Sequence, residues 1–408
     1  MRSRSFDFAQ DTPLDSAQDR PRVLAVTGAY APELSSGGLQ SRAVARALQG
    51  RAIFHVLTTA TNASLPVHDV VDAVPVTRIF MKARSRMSQW RALGRLFRHL
   101  STQLPAVSVV HVQGVSAKNI IIAAMSKTFR RPLIVHLQTS LHDEPPAIRS
   151  QGVLAWWAFR SADAYISVSR NLTTAFLEAG LPADRIREVP NGVDTTRFHP
   201  ATADDRRQLR EQLGLPPDLP ILLFVGVVAP DKQPHVLIKA WAALQEAADT
   251  RCAVVFIGAT DPSLFELDGR AIDDLHAAAA VSGAAERVFF VPPTARIEDY
   301  YRAADILVMP SAREGMPNVL LEAMACGLPV VASRLPGSTT TLIDDDGNGL
   351  LCPVGDVAAF TAAIGRVLQD GALGARLGTA ARATIEDRYR IELVAEQWLA
   401  VYRELASQ

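Results

Sequence analysis

Two glutamates eight residues apart, Glu314 and Glu322, bracket the start of a helix within REGMPNVLLEAMACGLPVVAS, Arg313 to Ser333. The run DILVMPS before it reads as a buried strand, Pro317-Asn318 opens the helix, Gly327 closes it with Pro329 beyond, and PVVAS is the next strand. Glu314 thus falls where strand turns into helix, at the carboxyl edge of a sheet, and Glu322 falls on the helix itself. The first amides of that helix, within residues 316 to 319, and its dipole make an anion site suited to phosphate. Carboxylates beside such a site accept hydrogen bonds from hydroxyls. Together these are the requirements of a nucleotide-sugar pocket, with amides for the diphosphate and acids for ribose and hexose. Two other roles compete: ordinary solvated acids favoured by the helix dipole, and a hydrolase pair, which would sit across an open cleft and need no phosphate-binding turn.

The elements that must hold this turn follow from periodicity. RVLAVTGAYAP, residues 22 to 32, is a β-branched run ending in a Gly, Pro and Ser cluster, and GGLQSRAVARALQ after it has helical spacing. The unit recurs in AIFHVLTT, VSVVHVQG with SAKNIIIAAMSKTF, PLIVHLQTS, and AYISVS with RNLTTAFLEAG. Strands apolar throughout and alternating with helices imply a parallel sheet covered on both faces. The pattern breaks at PNGVDTTRFHP and LPPDLP, a linker by composition, and a second series begins with PILLFVGVV and runs through CAVVFIG, a helix over 270–282, RVFFVPP and DILVMPS. The expectation is α/β: two Rossmann-like doubly wound domains, residues 22–200 and 201–384, facing each other across a cleft, with a last helix within 385–408 packing back on the first. Residues 1–21, a polar near-repeat of DFAQDTPL and DSAQDRPR, are expected to be a disordered extension.

Composition narrows the class. The 408 residues are 48% hydrophobic and 21% charged, which excludes disordered, collagen-like and coiled-coil chains. Three cysteines, Cys252, Cys326 and Cys352, with no CxxC pair, argue against a disulfide framework or structural zinc. No apolar run reaches membrane-spanning length and no signal sequence is visible, so a cytoplasmic protein is expected. The overall balance of 42 bases and 42 acids hides a division. Residues 22–200 hold 21 Lys/Arg and 10 Asp/Glu, net +11, and residues 201–408 hold 18 and 28, net −10. No acid lies between Asp72 and Asp143, a stretch with eleven bases.

EGMPNVLLEAMACGLPVV resembles the E-x7-E motif of the retaining glycosyltransferases of family 4, the group 1 glycosyltransferases of GT-B fold. VPNGVDTTRF at 189–198 is similar to that family's linker, TGAYAPELSSGGLQ at 27–40 to its first Gly-rich loop, and FVGVVAPDKQ and LIDDDGNGLLCPVGD fall in its order. The resemblance covers the chain from residue 22 onward. It implies that Glu322 holds the donor ribose, Glu314 the transferred sugar's hydroxyls, and Lys232 the charge growing on the leaving diphosphate. It also implies that Gly226, Gly315, Met316, Pro317, Asn318 and Val319 line the donor site, and that the Gly37-Gly38 loop approaches phosphate or acceptor. Three positions depart from the pattern, one of them Thr341, which stands where an acid is often found shortly before the final Gly-rich turn. Val227 stands where an Arg usually accompanies the Lys, so one diphosphate contact is either missing or left to Arg313 or Arg334. Gln138 stands in PLIVHLQTSLHDE where a histidine is frequent, so it is expected in the catalytic position as a hydrogen-bond donor to the sugar, without that histidine's positive dipole, while His136 reads as a packed strand residue.

The function expected is a retaining hexosyl transfer from a nucleotide-diphosphate sugar to a hydroxyl acceptor, a sugar, small molecule or lipid-linked or envelope glycan. No cofactor or metal is expected: Asp344-Asp345-Asp346 precedes a Gly-Asn-Gly turn and reads as a solvated tip. A nucleotide-sugar epimerase or phosphorylase on the same architecture, or a non-catalytic nucleotide-sugar-binding protein, are the alternatives. MKARSRMSQWRALGRLFRHL, residues 81–100, has six bases and no acid, with Met87, Trp90, Leu93, Phe97 and Leu100 at three- or four-residue steps. It suits peripheral contact with an anionic membrane, against a stripe that packs on the first sheet with its bases solvated. Nucleic acid is not an expected partner, for no stacking platform accompanies the charge. Trp156-Trp157 is expected in the core.

Overall fold

The computed structural model describes residues 20–33, 35–82, 85–246, 251–258, 269–281 and 283–407. The extension expected to be disordered, residues 1–21, lies outside them save for Arg20 and Pro21. The chain divides into two compact units, residues 1–192 with 391–408, and residues 193–390. The breaks fall at Gly192 and Ile391, where composition had placed them near 200 and 385.

The first unit holds an eight-stranded sheet in the order β3-β4-β2-β1-β5-β6-β7-β8. Its strands are β1 (Arg22–Thr27), β2 (Ile53–Ala60), β3 (His68–Val71), β4 (Val74–Phe80), β5 (Val109–Gln113), β6 (Leu133–Leu137), β7 (Ala164–Ser167) and β8 (Ile186–Glu188). All pairings are parallel except the β3–β4 hairpin, which the sequence pattern did not announce. The helices are α1 (Ser36–Ala47), α2 (Arg86–Gln103), α3 (Lys118–Thr128), α4 (Pro145–Ser150), α5 (Val153–Arg160) and α6 (Arg170–Glu178). β5 and β6 are buried along their whole length, as strands covered on both faces must be.

The second unit contains α7 (Ala203–Leu213), β9 (Ile221–Val225), α8 (Pro234–Glu246), β10 (Ala253–Ile257), α9 (Gly269–Val281), β11 (Val288–Val291), α10 (Ile297–Ala303) and β12 (Ile306–Met309). It continues through α11 (Asn318–Ala325), β13 (Val330–Ser333), α12 (Thr339–Leu342), β14 (Leu350–Cys352), α13 (Val357–Gln369) and α14 (Gly371–Arg388). Its sheet is wholly parallel, in the order β11-β10-β9-β12-β13-β14. A capping box of Thr202 and Asp205 starts α7, and Gly214 in the left-handed conformation ends it.

The last helix, α15 (Ile391–Ala406), returns to the first unit. It is shorter than the sequence suggested: Tyr389 and Arg390 leave helical geometry, so 371–388 forms the separate α14. Ile391, Val394, Trp398, Leu399 and Tyr402 of α15 join the core made by Val23, Phe54 and Val109. The second core is built on Phe224, Trp241, Phe256 and Phe360.

In each sheet two neighbouring strands send their chains in opposite directions, β1 and β5 in the first, β9 and β12 in the second. Loops leaving the carboxyl ends of such a pair part from one another and open a ligand-sized space.

Candidate active site

At the β9/β12 parting of the second unit, two loops meet. The loop after β9 begins at Gly226, whose amide donates to Ile257 O at 2.9 Å. Gly258 passes so near that a Cβ there would lie 1.8 Å from Gly226 O, so only glycine fits. The same loop then makes a tight turn over Pro230–Lys232, with Gln233 at φ 46°. The loop after β12 carries Ala312, Arg313 and Glu314. The Ala312 amide donates to Asp231 O at 2.7 Å, and the Arg313 guanidinium donates to Asp231 Oδ2 at 3.0 Å. Beside this clasp, Lys232 Nζ donates to Glu314 Oε1 at 2.7 Å.

The second loop runs through buried Gly315, Met316 and Pro317 into α11, with Asn318 and Val319 half-buried in its first turn. Pro317 is the N-cap residue and offers no side-chain cap, so the first amides are not claimed by the residue that usually takes them. Glu314, Lys232 and the start of α11 thus stand together at the carboxyl edge of the second sheet.

Glu322 is placed differently from a solvated acid. It is half-buried, and the hydroxyl of fully buried Tyr301, from α10, donates to its Oε2 at 2.8 Å. Burial raises its pKa from 4.5 to about 7; the Tyr301 hydrogen bond and Arg197 pull it back, and Glu298 pushes it up. Arg197 itself pairs with Glu298 at 2.7 Å. Tyr301 and Arg197 were not singled out from sequence. Arg197 stands in the TTRF segment that resembles the family linker, but nothing local marks Tyr301.

Arg313 and Arg334, the two candidates for the contact absent at Val227, both have acidic partners, Asp231 and Asp345. Asp345 also accepts from Leu351 N at 2.9 Å, which makes the triple-Asp segment a turn-holding element. Among the described residues no group of three or more His, Cys, Asp or Glu is placed to hold a metal ion.

In the first unit, Gly37 and Gly38 are not an open loop. They form the first turn of α1 and are buried, with Ser35 as N-cap accepting from Gly38 N at 3.0 Å. A Cβ on Gly37 would lie 2.3 Å from Gln113 Oε1 and 2.7 Å from Gln138 Oε1, and one on Gly38 2.2 Å from Ala29 O. Their lack of side chains thus serves close packing of α1 on the strand ends. Lys118 lies at the same β1/β5 edge, its Nζ donating to Thr27 O at 3.1 Å and its pKa pushed down to about 8 by burial.

Gln138 follows β6, half-buried, its Nε2 3.3 Å from His136 Nδ1. Asp143, fully buried, holds the segment by accepting from the amides of Gln138 and Thr139, each at 2.9 Å, and of Val115 at 3.1 Å. Sequence reasoning passed over this aspartate. His136 is a packed strand residue, as expected: it adjoins His111, which stacks on Trp398 and meets Tyr402 Oη at 2.9 Å. Burial holds both imidazoles well below their ordinary pKa, His111 at about 3.

Residues 205–384 match the model of the glycosyl transferases group 1, and residues 36–192 match that of a glycosyl transferase 4-like domain. The chain belongs to the group 1 glycosyltransferases. Within that family it is 36% identical over 250 residues to a D-inositol 3-phosphate glycosyltransferase of Xylanimonas cellulosilytica, covering 60% of this chain and 57% of that one. A relative of the same name from Acidothermus cellulolyticus is 36% identical over 261 residues, 60% of this chain and 56% of the other. The chain therefore spans little more than half the length of these relatives. Among solved structures, Anabaena HepE in complex with UDP and glucose superposes with a TM-score of 0.77 at 21% identity, covering 95% of this chain and 100% of that one. A sucrose-phosphate synthase from Thermosynechococcus elongatus gives 0.78 at 22%, with 95% and 100% covered. These likenesses show the shared GT-B fold.

Proposed function

We propose that this group 1 glycosyltransferase moves a sugar from a nucleotide-diphosphate sugar to a hydroxyl acceptor, with retention of configuration and without a metal ion. The observation that carries this reading is the meeting of Lys232 and Glu314 at 2.7 Å beside the start of α11, whose N-cap is Pro317, where two diverging loops leave one sheet edge. A diphosphate at that helix start is stabilised by its amides and dipole. Lys232 then exchanges Glu314 for phosphate and neutralises the charge that grows as the glycosidic bond breaks. Glu314, released, accepts hydrogen bonds from the sugar's hydroxyls, and Glu322 accepts from those of the ribose.

Retention follows if the departing phosphate oxygen takes the acceptor hydroxyl's proton while the acceptor oxygen forms its bond to the anomeric carbon on the same face. The protein's share is positioning and electrostatic stabilisation. No separate nucleophile is needed. Gln138 is the residue of the first unit proposed to touch the transferred sugar.

The solved HepE structures contain UDP or UDP-glucose, which supports a uridine diphosphate sugar as the first donor to assay. The names of the sequence relatives support a phosphorylated polyol as the first acceptor. A panel of nucleotide sugars, assayed for hydrolysis and for transfer with anomeric analysis of the product, tests the reading. Inverted product overturns the retaining mechanism, and affinity with no turnover on any donor makes the chain a binding protein.

A further inference from the structure

α2 is buried on a face that shares only Leu100 with the stripe expected from sequence. Ala92, Leu96 and Leu100, at four-residue steps, turn inward, while Trp90 is 73% exposed, Met87 64% and Phe97 54%. The stripe of the sequence is thereby divided, with its large side chains left in water. Arg91, Arg95 and Arg98 are exposed on the same helix. Helical spacing places Arg91 and Arg98 next to Met87, with Trp90 and Phe97 along the adjoining edge.

Across α3 the feature continues. α3 adjoins α2 on one side and α5 on the other. On α5, Val153 and Leu154 are exposed and Trp157, expected in the core, is 39% exposed. Lys127 of α3 stands over the Trp157 ring at 5.5 Å, and Arg149 of α4 over Trp156 at 4.6 Å. Helices α2, α3, α4 and α5 carry no carboxylate at all.

Exposed aromatic and aliphatic side chains among unopposed bases match one kind of surface, the headgroup region of an anionic bilayer. There indole and phenyl rings enter the acyl boundary and guanidinium and ammonium groups meet lipid phosphates. We propose that the α2–α3–α5 face of the first unit docks on anionic phospholipid membranes, with Trp90, Phe97 and Trp157 inserting and Arg91, Arg95, Arg98 and Lys127 binding phosphates. This goes beyond the transfer reaction, since none of these residues belongs to the loops of the candidate active site. No described helix is long and apolar enough to cross a membrane, so the contact is peripheral.

The test is co-sedimentation of the full chain with vesicles of phosphatidylcholine alone and with 30% phosphatidylglycerol (a composition of roughly the charge needed for such attraction). Binding is expected to the anionic vesicles, to weaken in high salt, and to fall about a hundredfold in R91E/R95E/R98E. W90S/F97S should also weaken it, with donor hydrolysis unchanged in both variants. Equal binding to both vesicle types, or undiminished binding by both variants, overturns the proposal. So does a concentration-dependent dimer abolished by W90S/F97S, which would assign the face to a second copy, or binding to a DNA duplex tighter than to vesicles at the same salt. Donor hydrolysis by the unmodified chain is read separately, so failure of the transferase reading and failure of the membrane reading are distinguishable.

Discussion

Lys232 Nζ lies 2.7 Å from Glu314 Oε1, a contact that joins the loop leaving β9 to the loop leaving β12 across 82 residues of chain. Each partner is the other's counter-ion, and in the proposed reaction phosphate replaces the carboxylate. Removing the charge of Glu314 therefore has two effects of opposite sense.

Glu314→Gln should lower transfer by orders of magnitude, since an amide is a poorer acceptor for the sugar's hydroxyls than a carboxylate. It should leave nucleoside diphosphate affinity equal or higher, because Lys232 no longer has to give up an ion pair. Calorimetric titration alongside turnover checks both; weaker diphosphate binding would show that the pair does not compete with phosphate.

In the proposed reaction Lys232→Ala removes the diphosphate's counter-charge and leaves Glu314 facing it. A fall in kcat of at least about a hundredfold is expected for loss of a preorganised charge of this kind. Turnover within a few-fold of the parent would remove Lys232 from the reaction.

Glu322 supplies a pH signature. Its folded-state pKa, about 7, lies above the ordinary 4.5, so the fold favours the protonated carboxyl. The stability it contributes is complete below about 4.5 and is lost as pH rises through 7. Glu322→Gln stays neutral throughout. Its stability relative to the parent should therefore grow by roughly 2–3 kcal/mol between pH 4 and pH 8, allowing for the group's half-buried side. Urea unfolding across that range reads it, and a gap that does not widen rules out burial as the cause. The same substitution should weaken donor binding.

Tyr301→Phe takes away the hydroxyl that donates to Glu322. The carboxylate loses a stabilising hydrogen bond, so its pKa should move further up and donor affinity at pH 7 should fall by up to about tenfold, the worth of one such bond. Unchanged affinity and an unchanged pH profile would make Tyr301 a packing residue only.

The two glycines of α1 should respond unequally to alanine. At Gly38 the new Cβ meets the backbone oxygen of Ala29, which cannot swing aside, and a loss of about 1–3 kcal/mol is expected. At Gly37 it meets the ends of the Gln113 and Gln138 side chains, which can rotate, so stability should change little while Gln138 is displaced. Thermal unfolding and transfer kinetics on the two variants separate these effects; equal destabilisation would contradict the geometry.

What could be read along the chain was what neighbours in sequence decide. The strand, turn and helix around Pro317 are local, and their alternation with apolar strands already implied two parallel sheets, so Glu314 at a sheet edge and the helix start beside it were legible. So were the absence of carboxylates between Asp72 and Asp143 and the packed state of His136. Contacts across long separations were not. The Tyr301–Glu322 bond, the Asp143 hub and the pairing of Arg313 with Asp231 depend on where parallel strands end side by side, which no local pattern encodes. The stripe on α2 and the position of Trp157 show the same limit from the other direction. Apolar periodicity says that a helix has an apolar side, but which of its residues turn inward is set by the surface it meets, and here that surface took Ala92, Leu96 and Leu100 and left Trp90 and Phe97 in solvent. Helix and strand identity arise from backbone preferences within a few residues; burial, pKa and partnership arise only when distant segments exclude water from one another.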